Sequence, residues 1–408
     1  MSGDRLRVLL MAEAVTLAHV ARPVALARAL DPARYEVVLA CDPRYAVFAS
    51  GGPWQRADLH SIPSAQFNRA LAKGAPVYDL ATLEAYVAED RALLKAFKPD
   101  LVVGDFRLSL SVSARVAGVP YLTIANAYWS PHYHARGGFP LPVLPMTRWL
   151  PLPVASALFA TFRPLAFALH GRPMNQLRAR HGLPSLGRDL RRVYTDADHH
   201  LVPDLAALYP VDDASGHHTF IGPLMWSPSV DLPPWWYEPV PARHDTVYVT
   251  LGSSGPGALL ALVLQALDGL PVRVLASTAG APLPERPPAN ARLAAYLPGD
   301  AAAARARLVV CNGGSLTAQQ ALAAGVPVLG LASNMDQFLN MAPITAAGAG
   351  QTLRADRINA AAIRVACQQL LASGAASDAA RRIQPLLTPT PSIGESFDLA
   401  VAKVRARS

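Results

Sequence analysis

The sequence predicts an α/β protein of two domains, each built on a parallel sheet with right-handed crossovers. Three observations carry that expectation. Short, nearly continuous apolar runs, which read as strands covered on both faces, alternate with helical stretches over residues 7–126 and again over 246–332. A Pro- and Trp-rich passage, residues 221–241, has linker composition and separates the two series. The 408-residue length suits two or three domains, and the 51% of apolar residues is enough for real cores, which excludes wholesale disorder.

The first domain is expected over residues 1–215. RVLLMA (7–12) reads as a buried strand, followed by a helix over HVARPVALARAL (19–30) with Pro23 in its first turn. YEVVLAC (35–41) is the next strand. A helix around 83–96 leads into the strand PDLVVGD (99–105), then a helix over 112–120 ends at Gly118 before the strand YLTIAN (121–126). Residues 128–215 break the rhythm; they are rich in Pro, Arg and aromatics, with a helical patch at 175–183 and a strand at 199–204. After a linker over 216–240, the second domain spans 241–385. TVYVTLGS (246–253), VRVLAST (272–278), ARLVVC (306–311) and VPVLGLA (326–332) are its strands, ALLALVLQAL is a helix, and ARLAAYLP (291–298) is strand-like. Residues 386–408 end in a helix expected to pack on one of the two domains, with the first preferred.

Charge and cysteine usage narrow the function classes. The net charge is +8, from 37 basic and 29 acidic residues. Only four are Lys (Lys73, Lys95, Lys98, Lys403), and the Arg residues are scattered apart from the short run Arg188 to Arg192, so the pattern argues against nucleic acid. Cys41, Cys311 and Cys367 form no C-x-x-C pair and sit in apolar contexts, as buried thiols do in a reducing compartment. The N-terminal apolar run is too short for a signal peptide, and no uninterrupted apolar stretch reaches ~18 residues. A cytoplasmic location without a spanning helix is the expectation. The nearest candidate, residues 150–169, carries three prolines and Arg163.

The most informative motif is NGGSLT (312–317), between the strand ending at Cys311 and a helix that stops at Gly325. Backbone N–H groups and the positive dipole end of a helix attract phosphate, and Gly313 and Gly314 let a ligand approach the backbone. An ordinary tight βα turn accounts for the same residues. A second Gly/Ser corner, Gly252-Ser253-Ser254-Gly255, would lie at a neighbouring strand end, where open α/β sheets bind ligands. Neither a G-K-[ST] nor a G-x-G-x-x-G accompanies these corners. Asn334-Met335-Asp336-Gln337, with Asn340 a turn later, fits either a polyhydroxylated ligand or helix capping.

The ordered set of Asn312-Gly-Gly-Ser-x-Thr, Ala-Leu-Ala-Ala-Gly-Val-Pro (321–327), Asp336-Gln337-x-x-Asn340 and Gly348-Ala349-Gly350 resembles the donor-binding signature of the inverting glycosyltransferases of GT-B fold. That family comprises the UDP-glycosyltransferases and the bacterial macrolide and antibiotic glycosyltransferases. The resemblance covers nearly the whole chain and is strongest over 246–350. It implies two Rossmann-like domains with a cleft between them, and a hexose moved from a nucleoside diphosphate sugar to a hydroxyl of an apolar small molecule or lipid. It implies that Asn312, Gly313, Gly314, Ser315, Leu316 and Thr317, with Ser253 and Ser254, hold the diphosphate. Asp336 and Gln337 would bind sugar hydroxyls, Tyr296 and Leu297 the base, and Gln320 the ribose. His19 would be the catalytic base and Asp105 its partner, since a neutral imidazole takes an acceptor proton well near pH 7. Trp129, His132 and His134, within an acceptor region spanning 128–170, would line the acceptor site. The H-x-H spacing at 132–134 lacks further ligands nearby, so neither a metal nor a cofactor beyond the sugar donor is expected. The stretch 147–170 suits either packed amphipathic helices or contact with a membrane surface.

The chain departs from the family in two donor positions. Asn312 stands where His is usual, and Gln320 where many members carry Glu; both keep hydrogen-bonding capacity and lose charge. These changes leave UDP- and dTDP-sugars open as donors. They also admit a catalytically silent binding or activator protein, or a sugar-nucleotide epimerase of related fold. The family's Gly-His-x-x-Pro becomes Ala18-His19-Val20-Ala21-Arg22, with the proline shifted to Pro23.

Overall fold

The computed structural model describes residues 5–134, 138–212, 215–252 and 257–407, and the chain divides into two compact units. The first comprises residues 1–138, 151–224 and 389–408; the second comprises 139–150 and 225–388.

The first unit holds a seven-stranded sheet of β1 (Leu6–Ala12), β2 (Tyr35–Cys41), β3 (Gln55–Asp58), β4 (Leu101–Asp105), β5 (Tyr121–Ile124), β6 (His199–Val202) and β7 (His218–Phe220). All neighbours are parallel, in the order β3-β2-β1-β4-β5-β6-β7. Val8 to Ala12 are buried, as an apolar run covered by helices on both faces requires. Leu9, Met11, Val38, Val102, Leu110 and Tyr121 belong to the core on one face. The order reverses between β1 and β4, so the carboxyl ends of these two strands splay a crevice open.

The second unit repeats the plan with β8 (Asp245–Thr250), β9 (Val272–Ser277), β10 (Ala291–Ala294), β11 (Leu308–Cys311), β12 (Val328–Ala332) and β13 (Gly350–Arg354). Its parallel order is β10-β9-β8-β11-β12-β13, and the reversal lies between β8 and β11. The helix Gly257–Leu267 and the helix Ala360–Ala372 supply apolar residues to the core around Val247, Val249, Val274 and Val310.

Several elements differ from the expectation. Pro23 lies in the second turn of the helix Ala18–Ala29, not the first, and there removes the backbone donor that would bond the His19 carbonyl. The patch expected at 175–183 is the end of a 29-residue helix, Leu152–Arg180, which continues through Pro164 and Pro173. Prolines inside a helix each cost about 3 kcal/mol locally, which is why the sequence pattern reads as broken there. Residues 139–150, placed by the sequence in the first domain, belong to the second unit. Val143 N–H donates to the Ser333 carbonyl (2.7 Å), Arg354 Nη1 to the Leu141 carbonyl (2.6 Å), and Thr147 Oγ1 to Asp356 (2.5 Å).

The expected linker is also committed to structure. His218–Phe220 is the edge strand β7, and Trp236 is buried under the Arg305 guanidinium, 4.3 Å from its ring centroid. The last helix, Ile393–Arg405, opens with a Ser392–Glu395 capping box and packs on the first unit. There Phe397 meets Tyr35 edge-on at 5.4 Å, and Asp398 accepts hydrogen bonds from Tyr35 Oη and Arg34. All three cysteines are free and buried. Burial pushes each thiol up to about 12, with Asp42 adding to the rise at Cys41, so none is a thiolate near neutral pH.

Candidate active site and donor-binding corner

In the first unit the chemistry gathers at the sheet reversal. The register pairs Ala12 with Asp105, so the loop after β1 and the end of β4 are neighbours, and His19 starts the helix that follows. His19 Nδ1 lies 2.7 Å from Asp105 Oδ1; Asp105 is fully buried, while the His19 side chain keeps 18% of its surface exposed. Arg22 Nη2 stands 2.8 Å from the same Nδ1, so the ring nitrogen faces both an acceptor and a donor; the tautomer that donates from Nδ1 to Asp105 is the one that leaves Nε2 as the basic nitrogen.

Arg22, one helical turn from His19, was not among the sequence-derived site residues. Its Nε donates to Asp105 Oδ2 and its Nη2 to Oδ1, both at 2.7 Å, and its Nη1 donates to Asn126 Oδ1 at 2.8 Å. Asn126 Nδ2 in turn donates to Asp204 Oδ1 at 2.9 Å. Asp105 therefore receives the imidazole and a bidentate guanidinium together. The signal was present in the sequence: an Arg at i+3 from His19, within an otherwise apolar helix, needs a buried anion.

Phe106, directly after Asp105, adopts φ 58°, the left-handed region that bulky residues avoid. That conformation turns its ring onto His19, with centroids 4.9 Å apart and planes at 17°. Tyr194 packs edge-on against Phe106 (5.4 Å), and Trp129 against Tyr194 (4.9 Å). Trp129 thus joins the His19 neighbourhood through three ring contacts, by way of Tyr194 and Phe106. His132 instead faces His218 at 5.7 Å, and His134 is exposed, so the structure does not bring this pair into the same cluster. A cavity of about 20 Å³ beside Tyr78, Met174 and Tyr194 holds a water at most, so it does not accommodate an acceptor.

Behind this site, Arg107 is fully buried and pairs with Glu13 (2.9 Å), Asp90 (2.9 Å) and Glu89 (2.8 Å), with its guanidinium 3.7 Å from the Tyr86 ring centroid. Burial raises the Glu13 and Asp90 carboxyls above their usual range, and Arg107 opposes that rise. Arg107 itself is disfavoured by burial, but Asp90 and Glu13 outweigh that and hold it charged. The cluster ties the end of β1 to the segment after β4 and so fixes the backbone that carries Asp105 and Phe106.

The donor-binding candidates lie in the second unit, at its own reversal. Gly313 has φ +84°, and a Cβ there would stand 2.9 Å from Met341 Cγ, so the close turn requires glycine. Asn312 Oδ1 accepts the Gly314 N–H at 3.0 Å, which closes the turn and accounts locally for an Asn at this corner. Gly314 is the N-cap of the helix Ser315–Ala323 and gives it no side-chain cap, so the first-turn N–H groups of Ser315, Leu316 and Thr317 have no side chain from the cap residue. Asn340 Nδ2 donates to the Gly313 carbonyl at 2.8 Å and locks this corner to the helix after β12. Ser253 and Ser254 lie outside the described residues; Gly252, before them, has its Cβ position 3.4 Å from Asn312 Nδ2.

Asp336 stands partly exposed in the first turn of the helix Met335–Ala346. Gln337 is buried, and its Oε1 accepts from Ser333 N (2.8 Å) and Asn334 N (3.3 Å), half of a capping box with Asn334. Only its amide nitrogen is left to reach a sugar. Gln320 is buried too, and its Nε2 donates to the Trp226 carbonyl at 2.8 Å, leaving Oε1 as the atom a ribose would meet. Tyr296 and Leu297 follow β10 at the edge of the same sheet, Tyr296 partly exposed and Leu297 buried. Among the described residues no group of three or more His, Cys, Asp or Glu side chains is placed to hold a metal ion.

Residues 263–396 match the family described as erythromycin biosynthesis protein CIII-like, C-terminal domain. The chain is 50% identical over 385 residues to a Mycobacterium tuberculosis protein named PGL/p-HBAD biosynthesis glycosyltransferase, covering 94% of this chain and 89% of the relative. It is equally 50% identical, over 383 residues, to a Mycobacterium bovis PGL/p-HBAD biosynthesis rhamnosyltransferase, covering 94% and 84%. Among solved structures, spinosyn forosaminyltransferase shares the fold with a TM-score of 0.70 at 18% identity, covering 98% of this chain and 100% of that one. Spinosyn rhamnosyltransferase complexed with thymidine diphosphate gives 0.68 at 20% identity, covering 97% and 99%.

Proposed function

This chain belongs to the nucleotide-sugar glycosyltransferases of GT-B fold, and we propose that it moves a hexose, with inversion, from a UDP- or dTDP-sugar onto a hydroxyl of an apolar small molecule or lipid. The observation that carries the reading is the His19–Asp105 contact at 2.7 Å, backed by Arg22. In the proposed step the acceptor oxygen attacks the anomeric carbon while His19 Nε2 takes its proton. The bond from that carbon to the diphosphate oxygen breaks, and the nucleoside diphosphate leaves with the electron pair. Asp105 stabilises the imidazolium that forms, as carboxylates do in hydrolase triads. The N–H groups of Ser315, Leu316 and Thr317, at the uncapped start of the helix Ser315–Ala323, meet the charge of the leaving diphosphate, so the reading needs no metal.

Deoxyhexose donors deserve the first trial, because one relative is named a rhamnosyltransferase and one structural neighbour holds thymidine diphosphate. A thermal-shift screen of UDP, dTDP and their sugars, followed by single-donor transfer assays, tests the proposal. A nucleoside diphosphate that binds the folded state raises Tm. The absence of a shift with every nucleotide would favour a silent homologue, although a silent protein has no use for the buried His19–Asp105–Arg22 constellation.

A further inference from the structure

The helix Leu152–Arg180 is long and apolar enough to cross a membrane, with a mean hydropathy of 1.5 in its most apolar window, of which only 17% is buried. The whole helix belongs to the first unit, and its C-terminal half is anchored there. Phe167, Gly171, Met174, Leu177 and Arg178 are buried, Arg178 Nη1 pairs with Asp196 at 2.6 Å and also donates to the Ser111 carbonyl. A helix anchored in this way, and carrying Arg163 in mid-stretch, does not span a bilayer.

The opposite side of the helix, from Val154 to Leu169, presents a different surface. Val154, Leu158, Phe162, Leu165 and Leu169 are exposed by 48%, 39%, 58%, 59% and 51%. At 100° per residue these five positions fall within an arc about 80° wide, while the buried residues lie on other sides of the helix. The stripe continues onto Arg172, which is exposed and lies in line with Val154. Single exposed apolar residues are ordinary, but a five-membered stripe along four turns marks an interaction surface.

Charge selects the occupant. The helix contains no Asp or Glu; Arg178 and Arg180 at its end pair with Asp196 and Glu84, which leaves Arg163 and exposed Arg172 as the cations along the apolar part of the helix. A protein partner or a second copy of this chain would ordinarily be met by a rim of both signs. An apolar stripe on a helix that carries Arg and no carboxylate fits anionic lipid headgroups over acyl chains. We propose that this exposed stripe docks the protein flat onto an anionic phospholipid surface, with Phe162 and Leu165 inserted and Arg172 at the phosphates. The inference stands independently of glycosyl transfer, although an apolar acceptor would concentrate at such a surface.

The test is co-sedimentation of the full-length chain with vesicles of phosphatidylcholine alone or of phosphatidylcholine mixed with phosphatidylglycerol. Binding is expected to the mixed vesicles, about tenfold weaker to the neutral ones, and weakened by salt. Phe162→Ser with Leu165→Ser should lower binding at least about tenfold with Tm unchanged, because both side chains are exposed; Arg172→Glu should weaken it as well. Wild-type protein that binds no vesicle, or a double variant that binds as wild type, overturns the proposal. A concentration-dependent dimer in analytical ultracentrifugation that the double substitution abolishes also overturns it, and assigns the stripe to a second copy.

Discussion

Arg22 grips Asp105 through two parallel hydrogen bonds, Nε to Oδ2 and Nη2 to Oδ1, each 2.7 Å long. Asp105 also faces His19, so one buried carboxylate orients the imidazole while the guanidinium fixes the carboxylate. Arg22 acts through Asp105 as a positioning residue. Arg22→Met should lower kcat by about ten- to a hundredfold with little change in nucleotide affinity, and Arg22→Lys should restore part of it, since a point charge replaces the charge without the fork. An uncompensated buried Asp105 costs about 3–5 kcal/mol, so Tm should be recorded alongside the kinetics. An unchanged kcat in folded Arg22→Met would remove Arg22 from the catalytic arrangement.

His19→Ala should lower turnover by about two to four orders of magnitude and leave nucleoside diphosphate binding nearly intact. The two quantities separate because His19 sits in the first unit and the donor-binding corner in the second. Measurement of kcat together with calorimetric nucleotide affinity distinguishes this from misfolding; wild-type turnover refutes the base assignment.

Asn312→His should change donor affinity more than acceptor affinity. The substitution removes the Oδ1 acceptor that closes the Gly314 turn and brings an imidazole to the corner. Competition with UDP and dTDP, measured beside acceptor KM, checks it. Equal effects on both substrates would place Asn312 outside the donor site.

Arg107→Met should destabilise more than it disturbs binding. It strips the cation from buried Glu13 and Asp90, an expected loss of about 3–5 kcal/mol by denaturant titration. A loss of less than about 1 kcal/mol would mean that the carboxyls protonate without strain.

Acid sensitivity follows from His199. Burial, then Lys403, Arg407, His217 and His218, hold its pKa down to about 4 from an ordinary 6.5. The unfolded chain therefore takes up this proton first as pH falls. The stability tied to neutral His199 is full above about pH 6.5 and is lost progressively towards pH 4. Tm should drop across that window, and His199→Asn should flatten the drop. An equally steep profile in the variant would assign the acid sensitivity to other groups.

The two parallel sheets were legible because buried strands carry unmixed apolar runs, as in Val8–Ala12 and Val328–Ala332. Strands β3, β7 and β13 were missed, since Gln55–Asp58, His218–Phe220 and Gly350–Arg354 lie at sheet edges and lack an unmixed apolar run. The helix Leu152–Arg180 was hidden by its prolines, whose local cost is overridden by packing around Met174 and Leu177.

The sequence by itself determined the α/β class and the glycine turn at 313–314, because both follow from chain-local rules of apolar patterning and φ; the pairing of His19 with Asp105 was legible only through the family resemblance. Tertiary structure alone decided the partners of long polar side chains. Arg22 meets Asp105 across 83 residues, Gln320 meets Trp226 across 94, and Arg354 meets Leu141 across 213. A long side chain searches a volume that local sequence does not describe. Desolvation then makes its one satisfied arrangement far more stable than the others, and only the packed fold specifies which arrangement that is.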